Sequence, residues 1–225
     1  MGGGYFGKLP ARKDFVLGNC PKGFLKLWEL FLIKGLAQSR LDLEEDWKEA
    51  YMTMPVWRFL LSPVDLAETS GPLARPIAGA FMPSVDGAGR EYPLTVVAEA
   101  GEGAAEIAGG WFDHVEAVLL SALQDEATLD GFQAAVADLG VPEDGGEEQA
   151  REESLLAPLA ETEGKLTARF WCRAGPMVFA FRCNGLPDAE SFRWLMLPEH
   201  YSSQQAKQSS AGDIHGRYHP EDHRT

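Results

Sequence analysis

Between Pro83 and Leu94 the chain reads Pro-Ser-Val-Asp-Gly-Ala-Gly-Arg-Glu-Tyr-Pro-Leu, and three of those side chains are of types that do chemistry. Ser84 offers a hydroxyl nucleophile, Asp86 a base or acceptor, and Arg90 a guanidinium fork that fits a carboxylate or phosphate. Gly87 and Gly89 permit the positive φ of a tight connection. Asp86 and Arg90 bracket that turn and are placed to pair across it. Two readings follow. Either the loop is a rigid hairpin whose ion pair holds its own geometry, or it is a preorganised polar site where Ser84 and Asp86 hydrogen-bond a ligand and Arg90 clamps an anion. A hydrolase or phosphoryl-transfer enzyme would need the second; spacing alone favours the first.

Such an enzyme also needs a proton acceptor held by packing. Of five histidines, His200, His215, His219 and His223 fall in the polar C-terminal stretch, and only His114 lies in the body, on a predicted surface helix. His215, His219 and His223, with Asp213 and Asp222 nearby, would share one helical face as metal ligands, but Gly216 and Pro220 break that helix. Gly2-x-x-x-x-Gly7-Lys8 has the outline of a phosphate loop. Leu9 stands where Ser or Thr must bind magnesium, however, and Pro10 obstructs the helix that should receive the phosphates. No catalytic residue, cofactor or metal is therefore expected.

Composition narrows the partners. Twenty Lys and Arg against 34 Asp and Glu leave 225 residues with a net charge of −14. That field repels nucleic acid and anionic lipid, and there is no Lys/Arg-rich run to override it. Cys20, Cys172 and Cys183 are odd in number and far apart, which suits reduced thiols. A hairpin turning at Gly175-Pro176 would not set the last two opposite each other. The N-terminus lacks the basic and apolar regions of a secretory signal, and the apolar stretch Phe24 to Leu36 is short and interrupted by Lys26, Glu29 and Lys34. The expectation is a cytoplasmic protein without membrane insertion.

The elements that must position these residues are legible in outline. A short strand in residues 4 to 18 breaks at Pro10 and continues as an extended piece. Pro21 opens a helix of about 22 to 38, and a second follows at about 43 to 53, ended by Pro55. Val56–Leu61, Pro76–Met82 and Tyr92–Ala98 read as buried strands. Helical spacing returns over 104 to 126 and 129 to 138, the latter stopped by Gly140 and Pro142. Residues 142 to 164 form an acidic, solvated loop, and strands are predicted at 166–172, 177–183 and 192–196. From 199 to 225 the composition is that of a flexible polar tail. The sum is one α/β domain over residues 1–198, a mixed and largely antiparallel sheet with helices on it in αβα layers.

The first helix carries a second clue. At 100° per residue, Leu30 and Ile33 fall on the side defined by the polar Lys26, Glu29 and Lys34. Either another element covers them or they belong to a protein-binding surface.

These blocks, taken together, resemble the TagF/ImpM family, accessory proteins of bacterial type VI secretion systems. The resemblance is carried by Gly4-Tyr5-Phe6-Gly7-Lys8-Leu9-Pro10, Asp14-Phe15-Val16, Trp28, Pro55-Val56-Trp57-Arg58-Phe59 and Pro83-Ser84-Val85-Asp86, then Gly89-Arg90 and Tyr92-Pro93-Leu94. It spans about the first 100 residues, with Lys13 standing where the family usually has Gly. It implies a non-enzymatic, post-translational repressor that binds the forkhead-associated scaffold protein of the apparatus, on an α/β fold somewhat similar to longin domains. A longin-like trafficking scaffold would share that fold with a different partner. Lys8, Pro10, Asp14, Phe15, Leu30, Ile33, Ser84, Asp86, Gly89 and Arg90 are the family-motif and candidate interaction residues.

Overall fold

The computed structural model describes residues 2–63, 73–101, 109–142, 156–158, 166–175 and 177–201. Among these residues eight strands form one sheet: β1 (Gly4–Lys8), β2 (Phe15–Gly18), β3 (Trp57–Pro63), β4 (Ile77–Met82), β5 (Leu94–Glu99), β6 (Leu156–Pro158), β7 (Leu166–Ala174) and β8 (Met177–Asn184). Their order is β2-β1-β5-β4-β3-β7-β8-β6, and every pair is antiparallel except β6 with β8. Helices α1 (Phe24–Leu43), α2 (Trp47–Met52), α3 (Gly109–Ser121), α4 (Leu129–Ala137) and α5 (Arg193–Met196) cover it. The expected mixed sheet with helices packed on it is the fold found.

The strands of the sheet centre are apolar at nearly every position because both faces are buried. Side chains alternate between two cores. On one face Phe59 and Leu61 of β3, Ile77 and Phe81 of β4, and Phe170 of β7 pack beneath α1, α2 and α5. On the other, Leu60, Ala78, Ala80, Leu94 and Val96 pack with Phe112, Val115 and Leu119 of α3 and Phe132 and Val136 of α4. This is the three-layer αβα arrangement. Trp28 is the centre of the first core: its ring lies 4.4 Å from Phe59 and 5.3 Å from Phe24 and Phe81, and its indole N–H donates to Thr95 Oγ1 of β5 at 2.9 Å. Each well-placed aromatic pair adds about 0.5–1.5 kcal/mol beyond simple burial, so this one side chain ties α1 to the middle of the sheet.

Several boundaries differ from expectation. Pro21 does not start α1; Gly23 takes a left-handed φ of 85° and the helix begins at Phe24. It then runs on to Leu43, where Glu44 takes φ 45° and one 3₁₀ turn, Glu44–Asp46, leads into α2. Residues 192–196, read as a strand, are helical. Phe192, Leu195 and Met196 lie at i, i+3 and i+4 and are all buried, and so short an apolar run suits either structure. Within the acidic stretch 142–164, Leu156–Pro158 is a strand on the β8 edge, where a proline is tolerated; 143–155 and 159–165 lie outside the described residues. Of the helix read at 104–126, 104–108 lie outside them, and so do residues 202–225 of the polar tail. Tyr201 packs edge-on against Phe181 and Trp194. The hairpin β7–β8 turns at Gly175 and sets Cys172 opposite Phe179 and Cys183 opposite Ala168, so the two thiols do not face each other.

Gly35 shows how closely α1 sits on its neighbours. A Cβ there would lie 2.2 Å from Cδ2 and 2.3 Å from Cγ of Phe192. Gly35→Ala should therefore lower stability by about 1–3 kcal/mol, although alanine is favoured by about 1 kcal/mol in a free helix. Urea unfolding should show this loss, and in a Phe192→Leu background the loss should shrink. A Gly35→Ala variant as stable as the native protein would contradict the packing described.

Candidate functional site

The loop between β4 and β5 is built around one carboxylate. Asp86 is buried, and its Oδ1 accepts from the backbone N–H of Ala88 at 2.9 Å and of Arg90 at 3.0 Å. Its Oδ2 accepts from Arg90 Nε at 2.8 Å and from Lys8 Nζ at 3.1 Å. The chain turns about this group: the Asp86 amide donates to the Arg90 carbonyl at 3.1 Å, and the Gly89 amide, where φ is 78°, to the Asp86 carbonyl at 2.8 Å. The ion pair expected from spacing is present, and the rigid hairpin is the geometry that forms.

The rest of the chain clamps this loop from three sides. Lys8, at the end of β1, is buried and also donates to the Arg90 carbonyl at 3.3 Å. Pro10 sits in a turn closed by Arg12 N–H to Leu9 C=O at 2.9 Å, its fixed φ suiting the second turn position. That turn presents the Arg12 carbonyl to the Gly87 amide at 2.6 Å and the Lys13 carbonyl to Arg90 Nη2 at 2.5 Å. From α2, the Tyr51 hydroxyl donates to the Ser84 carbonyl at 2.8 Å and accepts from the Ser84 amide at 3.0 Å. Gly7 is required where β1 passes the loop, since φ is 137° and a Cβ would meet the Pro93 carbonyl oxygen at 2.0 Å.

The motif residues therefore converge, and most of their polar atoms are engaged with the loop and the strand ends beside it. Ser84 is buried and its hydroxyl donates to the Lys8 carbonyl at 2.8 Å. Asp14 accepts from the Phe15 amide at 2.8 Å and so shapes the entry to β2. Phe15 stacks with Phe6 and meets Tyr92 edge-on at 4.8 Å, yet remains half exposed. Gly89 and Arg90 face water. His114 is exposed on α3. Leu30 and Ile33 stand apart from the loop, on the outer side of α1; with exposures of 53% and 51% they have no cover among the described residues. Sequence reasoning missed Tyr51 and the pairing of Lys8 with Asp86, 78 positions apart. Arg58 it met only within a motif block, and it missed that this residue is buried on β3 and bonded to Glu116 at 2.7 Å and Asp113 at 2.6 Å. No local pattern signals such distant partners.

Electrostatics follow from these contacts. Burial alone would push the Asp86 carboxyl up; the Arg90 amide, the Lys8 ammonium, the Ala88 amide and the Arg90 guanidinium outweigh it and hold the carboxyl well below the usual carboxylate range. Burial pushes the Tyr51 hydroxyl far up, against the opposing effect of its bond to Ser84. Burial likewise raises the Cys20 thiol to about 11, which leaves it protonated at neutral pH. Among the described residues no group of three or more His, Cys, Asp and Glu is arranged to hold a metal, and no helix is long and apolar enough to cross a membrane.

Comparison with known proteins follows the same lines. The sequence profile of the TagF N-terminal domain, type VI secretion system-associated, matches residues 4–139, which contain the whole of this site. The crystal structure of PA0076 from Pseudomonas aeruginosa PAO1 is similar to this chain at 28% identity and a TM-score of 0.68, covering 86% of this chain and 93% of that one. No curated protein matches.

Because the folded Asp86 has a pKa below its ordinary value of 3.8, its contribution to stability is complete above that pH and declines as pH falls below it. Asp86→Asn removes the contribution and leaves the Lys8 ammonium buried without its counter-charge, so the variant is less stable at pH 7. In urea titrations from pH 7 to about 2.5, the gap between native protein and variant should hold to about pH 4 and then narrow. A gap that stays constant throughout would show that ionised Asp86 is not what holds the loop.

Proposed function

The chain belongs to the TagF family of type VI secretion system-associated proteins, and on that footing we propose that it represses assembly of the apparatus by binding its forkhead-associated scaffold protein. It acts in the cytoplasm by occupancy. Each molecule covers one scaffold surface, and secretion falls as the scaffold is titrated, without turnover.

The observation that carries this reading is the pairing of a rigid loop with an uncovered apolar surface on a rigid helix. Leu30 and Ile33 are half exposed on a helix whose opposite side is locked into the core by Trp28, Phe31 and Leu32. Such residues gain nothing for the fold where they stand and gain much when a partner covers them. The loop Asp86–Arg90, with Arg12 and Lys13, adds exposed cations on a backbone already fixed. A preordered surface loses little entropy on binding. The hydroxyl and carboxylate that a hydrolase would use are instead committed to holding the loop. These commitments support recognition over catalysis, and we read the protein as a non-enzyme.

Mixing the purified chain with the scaffold protein should give a complex at micromolar concentrations. Leu30→Glu should weaken that complex at least about tenfold while moving the melting temperature by no more than about 2 °C, as expected of a surface change. Absence of any complex at those concentrations sinks the masking mechanism, and a large fall in melting temperature would make Leu30 a core residue.

A further inference from the structure

Exposure on α1 extends well past Leu30 and Ile33. At 100° per residue, Lys26, Leu30, Ile33, Ala37 and Leu41 fall within about 80° of one another. They lie opposite the buried Trp28, Phe31, Leu32 and Gly35. Leu41, at 72%, is the most exposed large apolar side chain among the described residues, and Ala37 is exposed between it and Ile33. A surface helix ordinarily keeps this side polar. Here it carries an apolar line from Leu30 to Leu41, with Lys34 to one side and Arg40 to the other.

Charge is also ordered along the line. Lys22 and Lys26 are exposed at the start of the helix, and Glu44, Glu45 and Asp46 are exposed just past its end. None of the five has an ion-pair partner among the described residues. A stripe that is basic at one end, acidic at the other and apolar between is complementary to itself when reversed. That is the condition for an isologous two-fold interface, where residue i meets j and j meets i. It is not met by a parallel arrangement, which sets lysine against lysine.

We propose that α1 is the seam of a homodimer in which two copies of this chain pack α1 against α1, antiparallel, about an axis between Ile33 and Ala37. Ile33 of each copy lies over the small Ala37 of the second, Leu30 meets Leu41, and Lys26 meets the acidic end at Glu44 and Glu45. Lys34 flanks the seam on one side and keeps its charge in water, while Arg40 on the other stays over Trp47 and near Glu91. One helix pair makes an interface at the small end of the stable range, so the dimer forms and dissociates with concentration. Because the seam covers Leu30 and Ile33, dimer and scaffold-bound monomer exclude each other. That consequence rests on the masking reading; the dimer itself does not.

The test uses the full chain alone, by sedimentation velocity from about 1 to about 200 μM. The native protein should move from the mass of one chain towards that of two across this range. Ala37→Glu should hold it at one chain throughout, with an unchanged melting temperature. If Ala37→Glu disturbs the helix, Leu41→Glu, at a well-solvated position, should give the same result. Lys26→Glu should weaken the dimer several-fold, and adding Glu45→Lys should restore it. A single-chain mass at the top of that range, or a dimer indifferent to both apolar substitutions, overturns the proposal; a charge cycle without recovery overturns the antiparallel arrangement. No scaffold protein is present, so a failure here is separate from a failure of the masking mechanism.

Discussion

A carboxylate taken out of water must be given back its hydrogen bonds, and Asp86 obtains all of them from protein groups. Two come from amides of its own loop, one from Arg90 and one from Lys8. The geometry is demanding because a buried charge that loses a partner is far costlier than a neutral group that does. The loop backbone, the end of β1 and the guanidinium therefore have one arrangement that satisfies the charge. Lys8 arrives from β1, and its neighbour Gly7 lets that strand pass against Pro93. The pairing of β1 with β5, the turn at Pro10 and the course of the β4–β5 loop are thus a single constraint seen from three places.

That constraint reaches α1 through the residues around the loop. Tyr51 fixes Ser84 to α2, and Trp47, stacked on Tyr51 at 5.0 Å, lies beneath the Arg40 guanidinium at 3.6 Å. Arg40 also approaches Glu91 at 3.6 Å. This outer ion pair is half exposed and contributes little by itself; its value is positional. The inner side of the helix is set by Trp28, whose ring and indole N–H address four strands of the sheet at once. Loop and helix are consequently parts of one rigid body, and whatever they present outward is presented in fixed register.

Much of this was legible in the chain of residues, for definite reasons. Strands buried on both faces announce themselves as nearly unbroken apolar runs, which is why β3, β4 and β5 fall where the pattern places them; β7 and β8, interrupted by Arg169, Arg173 and Arg182, are marked instead by the turn at Gly175 between them. The Asp86–Arg90 pair was legible because it is local, with two glycines between its members. Failures have the opposite character. Arg193–Met196 is a helix of one turn, too short for a 3.6-residue period to differ from a 2-residue one. Leu156–Pro158 lies in strongly acidic surroundings and is a strand because the β8 edge accepts it, a tertiary cause. Lys8 looked like the lysine of a failed phosphate loop; only the fold reveals its counter-charge, contributed from 78 residues away. The motif blocks of the family resemblance pointed at the same group of residues, but as a pattern, without the carboxylate that explains why they belong together.

Charge distribution gives the arrangement a direction. Residues 1–40 hold seven Lys and Arg against Asp14 and Glu29, while the other 185 residues hold 13 against 32 acids. The net charge of −14 therefore conceals a positive N-terminal segment, and that segment is β1, β2 and most of α1, the elements bearing Phe15, Leu30 and Ile33. Beyond about 8 Å at physiological salt the charges are largely screened, so an approaching protein responds to the nearest face rather than to the total. Lys8 and Arg40 of that segment are paired with Asp86 and Glu91, so its exposed cations without an ion-pair partner among the described residues are Arg12 and Lys13 beside the β4–β5 loop and Lys22, Lys26 and Lys34 along α1, with Leu30 and Ile33 between the last two. An acidic surface laid along α1 meets the Lys22–Lys26 end favourably and the Glu44–Asp46 end unfavourably, so charge favours one orientation over the reverse. Net charge therefore says little about a partner that meets this segment alone. What this segment presents to a neighbour is set by local charge, local exposure and the backbone geometry that the buried Asp86 imposes beside it.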